Sequence, residues 1–173
     1  MAQDGVVKQA KKVIRVIPTV ETSEYVSGDV IFNSVAIPNA VIGKGGCSKL
    51  IAAYMVSNST DNLLFEMIFT ENSATFGTVN ATANISDADI RTAKVLASWA
   101  CEAVDDTTEH LDNCEIKRIF DTRSANGNTV GNLDPTLLQA AEGSTDVYFA
   151  VIGGSTITYA GANDLEFIFH IEY

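Results

Sequence analysis

The last ten residues, Asp164-Leu-Glu-Phe-Ile-Phe-His-Ile-Glu-Tyr173, constrain the fold more than any other stretch, because they repeat with a period of two. Leu165, Phe167, Phe169 and Ile171 fall on one face, and Glu166, Ile168, His170 and Glu172 on the other. That is the alternation of a strand with one side in a core. Runs of strand length also cover Val13–Val20, Val30–Ile42, Leu50–Val56, Leu63–Phe69, Val95–Val104, Cys114–Phe120, Asp146–Gly153 and Thr156–Tyr159. They recur roughly every 10 to 15 residues with no strand-helix-strand rhythm, which predicts a mainly β chain folded as an antiparallel β-sandwich or jelly roll.

Between the runs lie the signals that punctuate them. Tyr25-Val-Ser-Gly-Asp29 reads as a turn, with Gly28 free to take positive φ and Asp29 able to close the turn through its side chain. Strands are therefore expected on both sides of it. Pro38 lacks a ladder donor and predicts a bend or a sheet edge within the second run. Ser57–Asn62 is turn chemistry between two apolar runs, so Leu50–Val56 and Leu63–Phe69 are expected to form a central hairpin, with helix open for the second. Ser86-Asp-Ala-Asp89 is a helix start with cap and first-turn acids, predicting one short helix over Ser86–Lys94. Val95–Val104 carries Trp99 and reads as a strand, though helix is able to continue into it. Ser124–Asn132 is a turn around Asn-Gly, and Leu137–Ala141 is either a helical turn or an edge strand.

A chain of 173 residues with 46% hydrophobic and 19% charged residues suits one self-sufficient domain. No apolar run approaches the roughly 18 residues that cross a bilayer as helix, and no charged-then-apolar leader is visible. A cytosol-like compartment and no membrane partner are therefore expected. Cys47, Cys101 and Cys114 lack metal-binding or redox spacing and are expected to be buried or half-buried thiols. The net charge is −11, yet Lys8, Lys11, Lys12 and Arg15 crowd the first fifteen residues, where Asp4 is the only acid. The expected organisation is an extended basic arm over residues 1–15 and a single acidic sandwich over residues 16–173. Such an arm suits a negatively charged neighbour, while the acidic body and an arm without aromatic residues argue against nucleic acid.

Several stretches resemble a known family. Pro18-Thr-Val-x-x-x-x-Tyr25-x-x-Gly-Asp-Val30 is similar to the opening of small structural proteins of tailed bacteriophages, the head decoration or cement proteins. Val147–Val151, Gly153–Ala160 and Asp164–Ile171 resemble their ending, and Phe76 with Ser86-Asp-Ala-Asp89 resembles their turn into a short helix. Asp105–Gly143 has no counterpart. The resemblance implies a β-sandwich without enzymatic activity, on the outer capsid surface of a virion assembled in the host cytoplasm, with the major capsid protein and its own copies, as a homotrimer, for partners. Lys8, Lys11, Lys12 and Arg15 are then the expected capsid contacts.

The remaining motifs do not assemble a recognisable catalytic or ligand-binding constellation. Ile42-Gly-Lys-Gly-Gly-Cys-Ser48 evokes a phosphate loop, but Pro38 stands where the first glycine belongs and Gly45 where the hydroxyl belongs. His110 and His170 have no nucleophile motif beside them. Asp105, Asp106, Glu109, His110 and Asp112 are rich in oxygen ligands but lack the offsets and turn glycine of a calcium loop. Asp87 and Asp89 are explained by capping. No enzyme, cofactor or metal site is expected. The alternative is a tail- or fibre-associated carbohydrate-binding module that stacks sugars on Trp99, Tyr54, Tyr148 or Tyr159.

Overall fold

The computed structural model describes residues 10–59, 63–101, 108–119 and 136–173. Its strands are β1 (Lys11–Val16), β2 (Val30–Ile37), β3 (Cys47–Ser57), β4 (Phe65–Thr70), β5 (Val95–Cys101), β6 (Thr108–His110), β7 (Glu115–Ile119), β8 (Thr136–Gln139), β9 (Val147–Gly153) and β10 (Leu165–Glu172), with one helix, α1 (Asp87–Ala93). The first sheet runs β1-β10-β3-β7-β6, and β8 shares the β7 side of β3. There β7 takes Ala53–Ser57 and β8 takes Cys47–Leu50. The second sheet runs β2-β9-β4-β5, and all pairings are antiparallel.

With β6 and β8 set aside as additions, successive strands pair first with last, second with next-to-last, and so on inward: β1 with β10, β2 with β9, β3 with β7, β4 with β5. A long hairpin wound in this way into two facing sheets is a jelly roll, a form of the β-sandwich.

The core lies between the sheets and is built from aromatic side chains. Leu165, Phe167, Phe169 and Ile171 of β10 are all fully buried, as their alternation predicts. Phe149 from the opposite sheet stands edge-on to Phe167 at 5.2 Å and to Phe169 at 5.0 Å, and Phe32 meets Phe167 at 5.7 Å. Each buried ring contributes about 2–3 kcal/mol by leaving water, and edge-to-face pairs add about 0.5–1.5 kcal/mol. Trp99 of β5 reaches across the core, where its Nε1 donates to Thr136 Oγ1 on β8 at 3.0 Å.

The connection from β4 to β5 is the longest excursion between sandwich strands that is described throughout, and it folds back over the outside of the second sheet. Phe76, Val30 and Ala150 form a small second core there, with Ile68, Ile85, Ile90 and Ile152 packed against it. Ser86 caps α1 as expected, accepting from Asp89 N at 3.2 Å. The neck is closed where Glu71 N donates to Lys94 O at 3.1 Å and Lys94 Nζ meets Glu71 Oε1 at 2.6 Å.

Several expectations need correction. β3 and β4 do not form a hairpin: they belong to different sheets. The turn before β2 forms as expected, with Gly28 at φ +94° and Asp29 Oδ2 accepting from Val26 N at 2.9 Å. No strand leads into it, however; Tyr25 makes a single bridge to Ile157, and that bridge is also all that forms of the strand expected over Thr156–Tyr159. β2 stops just before Pro38 and is an edge strand. Leu137–Ala141 resolves as strand through β8. The expected arm of residues 1–15 is corrected from Lys11 onward, because Lys11–Val16 is a paired strand of the sandwich. Lys8 and the Ser124–Asn132 turn lie outside the described residues.

Candidate interaction surface

β1 is where the basic residues become a site. Its Ile14 and Val16 are buried against the core, while Lys11, Lys12, Val13 and Arg15 are exposed. On one side it pairs with β10, from Lys11 opposite Glu172 to Val16 opposite Phe167. Its other side pairs with no described strand. Arg15 donates from Nη1 to Glu166 Oε1 at 2.9 Å, and Lys11 Nζ lies 3.7 Å from Glu172 Oε2. Exposed pairs of this kind contribute about 0–1 kcal/mol, so they orient the cations more than they hold the fold. Lysines on an open edge also discourage pairing with a stray strand, which gives Lys11 and Lys12 a protective role that requires no partner.

Two open depressions flank this end of the sheet. One, of about 240 Å³, is lined by Lys11, Lys12, Val13, Ile51, His170 and Ile171. The other, of about 210 Å³, is lined by Cys47, Ser48, Lys49, Leu137, Glu172 and Tyr173. Both fall below the roughly 300 Å³ at which small-molecule sites usually begin. His170 faces outward beside Tyr54, their rings 5.3 Å apart.

Other candidates are dispersed. The Ile42–Ser48 loop is pinned through Gly45 N to Ser144 O at 2.8 Å and leads into a strand, so it does not present its amides at a helix N-terminus. His110 lies on β6. Asp105 and Asp106 lie outside the described residues, among which no group of three or more metal-ligating side chains gathers. Cys101 is buried and Cys114 half-buried, but Cys47 is exposed, contrary to expectation. Trp99 and Tyr159 are core residues, which removes them from a sugar-stacking surface; Tyr54 and Tyr148 are half-buried.

One constellation was missed from sequence. Glu115 and Lys117 of β7 point inward and are buried. Leu63 N donates to Glu115 Oε1 at 3.2 Å, and Lys117 Nζ donates to Leu63 O at 2.9 Å. The peptide groups of Leu63 are thus gripped where the chain enters the second sheet. The only sequence signal was parity: Glu115 and Lys117 share a face with Ile119, and Ile119 is buried too. Nearby Tyr159 has its phenol pushed above the usual range, chiefly by burial and further by Tyr25, Glu115 and Asp164. Its hydroxyl has no hydrogen-bond partner among the described residues. The site is a packed polar junction, and neither depression reaches it.

No protein-family model matches the chain, and no curated protein is similar to it in sequence. Among solved structures, the chain is similar to one from Israeli acute paralysis virus, a full particle heated to 63 degrees. The identity is 12%, the likeness covers 100% of this chain and 79% of that one, and the TM-score is 0.26. A likeness of that size carries no argument about this chain.

Proposed function

We propose that this chain is a decoration protein of a tailed-bacteriophage head, which binds the outer capsid surface as a homotrimer and stabilises contacts between major capsid subunits. The observation that carries the reading is the basic β1 edge on an acidic domain: Lys11, Lys12 and Arg15 are displayed by a strand fixed in the sandwich, directly after the leader that holds Lys8. A cationic rim on a body of net charge −11 favours a negatively charged surface while the bodies repel one another in solution. Many copies on one lattice gain avidity, so each contact needs only modest affinity. The jelly-roll architecture is one that capsid proteins use, though it also serves lectins and enzymes, so it supports the reading by analogy alone. The motifs shared with the decoration family add to it.

The test is co-sedimentation with expanded heads of the phage that encodes the chain. Removal of residues 1–9, which leaves β1 whole, and the charge reversal Lys11→Glu/Lys12→Glu are each expected to lower occupancy at least tenfold. Undiminished occupancy in both variants removes the basic segment from the contact, and absence of wild-type binding removes the reading.

A further inference from the structure

The excursion between β4 and β5 leaves and rejoins the second sheet at neighbouring points. Thr70 still pairs with Val95, and just beyond it Glu71 N donates to Lys94 O at 3.1 Å and Asn72 N to Ala93 O at 3.0 Å. Lifting the excursion therefore breaks no pairing between strands of the sandwich. What holds it down is concentrated on β2. The register of β2 against β9 shifts between Phe32 and Val35, so Asn33 and Ser34 together stand opposite Ala150 as a bulge. Asn33 turns both ends of its amide to the excursion: Oδ1 accepts from Phe76 N at 2.6 Å and Nδ2 donates to Gly77 O at 2.9 Å. Ser34 N donates to Ala74 O at 3.3 Å, and its Oγ accepts from Ala74 N at 3.0 Å. Farther along the same edge, Val30 N donates to Ala81 O and Val30 O accepts from Asn80 N, both at 2.9 Å.

These are the contacts by which a sheet edge recognises an added extended peptide: hydrogen bonds fix its main chain and a pocket takes a side chain. The pocket here is the apolar patch of Val30, Ile68, Ala150 and Ile152, and Phe76 fills it to 2% exposure, in a cluster separate from the main core. We propose that the Asn33–Ser34 bulge and this patch form a peptide-recognition site, closed in cis by Ala74–Gly77 of the chain's own excursion, which acts as a releasable flap. The resident segment defines the ligand chemistry: an extended peptide with an aromatic side chain followed by glycine. Glycine is needed because Gly77 sits at φ +151°, and a Cβ there would stand 2.9 Å from Asn84 Oδ1 and 3.4 Å from Val30 Cγ2. The site lies on the opposite sheet from the basic edge of β1 and does not depend on what that edge binds. A tethered segment holds an effective concentration on the order of millimolar, so the intact chain keeps the site shut against a free peptide.

The test uses the full chain and a fluorescent synthetic peptide of the sequence Ser73–Ser86. Phe76→Ala empties the pocket and leaves Asn33 and Ser34 in place. This variant is expected to bind the peptide at least tenfold more tightly than the wild type does. Adding Asn33→Ala to it, or replacing the peptide's phenylalanine by alanine, is expected to return binding to the wild-type level. A Phe76→Ala chain that a thermal melt shows to be folded, and that takes up the peptide no better than the wild type, overturns the site. Hydrogen exchange of the wild type and of Asn33→Ala decides the matter even where Phe76→Ala does not fold. The amides of Ala74 and Phe76 are expected to exchange at least tenfold faster in Asn33→Ala, with those of β9 and β10 unchanged. If they exchange only together with β9 and β10 in both proteins, the excursion is an inseparable part of the sandwich and the flap is overturned.

Discussion

Lys117 Nζ donates to the carbonyl oxygen of Leu63 at 2.9 Å, joining an inward-facing lysine of one sheet to the peptide that begins the other. Leu63 O also accepts from Cys101 Sγ at 3.6 Å, and Leu63 N donates to Glu115. This residue is the strap of a cross-over that the sequence presents as an ordinary turn.

Removing the lysine leaves Leu63 O with the weaker Cys101 thiol as donor, beside a buried Glu115 bound to Leu63 N. Lys117→Met keeps the volume of the stem, so the loss it reports is polar. It is expected to cost about 3 kcal/mol in urea unfolding, the range for breaking a buried charged contact. Glu115→Gln with Lys117→Met is expected to cost less than the two single changes added together, and strict additivity would show that the groups act independently.

The hydroxyl of Tyr159, without a partner among the described residues, makes the opposite prediction. Tyr159→Phe deletes a buried polar atom and keeps the ring that meets Tyr25 edge-on at 5.8 Å. A gain of about 1 kcal/mol is expected, since leaving such a group unsatisfied costs about 1–3 kcal/mol. A loss in the thermal melt would reveal a partner for that hydroxyl.

Alkaline stability follows from the same ring. Tyr159 and Tyr25 are both raised above their ordinary value of 10.0, each mainly by burial. Their contribution is complete below the unfolded phenol's pKa and is lost as pH rises above it, because the unfolded phenols release protons that the folded ones retain. Unfolding free energy is expected to fall above pH 10, by up to about 1.4 kcal/mol per pH unit for each such group. Tyr159→Phe should make that decline shallower; an unchanged slope would show that other groups govern it.

Gly46 tests the loop that resembles a phosphate cradle. A Cβ there would collide with the Ile42 carbonyl oxygen and sit 2.9 Å from that of Gly43, both backbone atoms that cannot swing aside. Gly46 O accepts from Ala140 N at 3.1 Å, just past the end of β8. Gly46→Ala is expected to cost about 2 kcal/mol. Ser86→Ala, which removes only the cap of α1, should cost about 1 kcal/mol. Equal effects would mean that the loop relaxes freely.

Legibility in the sequence divided along the range of the forces involved. The buried face of β10, the Gly28 turn, the stop of β2 before Pro38 and the cap of α1 all follow from residues within a few positions of one another. The hairpin expected of β3 and β4 failed because two apolar runs joined by polar residues look alike whether they pair or cross the core. What decides is that β3 finds β10 and β7 while β4 finds β9 and β5, partners not specified by the intervening turn. The basic segment was visible as composition, but its division at Lys11 depended on β10, at the far end of the chain. Glu115 and Lys117 were unreadable for a related reason: charge on a strand is ordinarily solvated, and only the unsatisfied peptide groups of Leu63 make burial worthwhile.

The place of β10 between β1 and β3 also dictates an order of events. During synthesis, β1 and β3 leave the ribosome long before the strand that must be inserted between them, so the first sheet remains a split half-layer until β10 has been made. β10 acts as its keystone, and a nascent chain stalled ahead of Leu165 exposes two sticky edges instead of a finished wall.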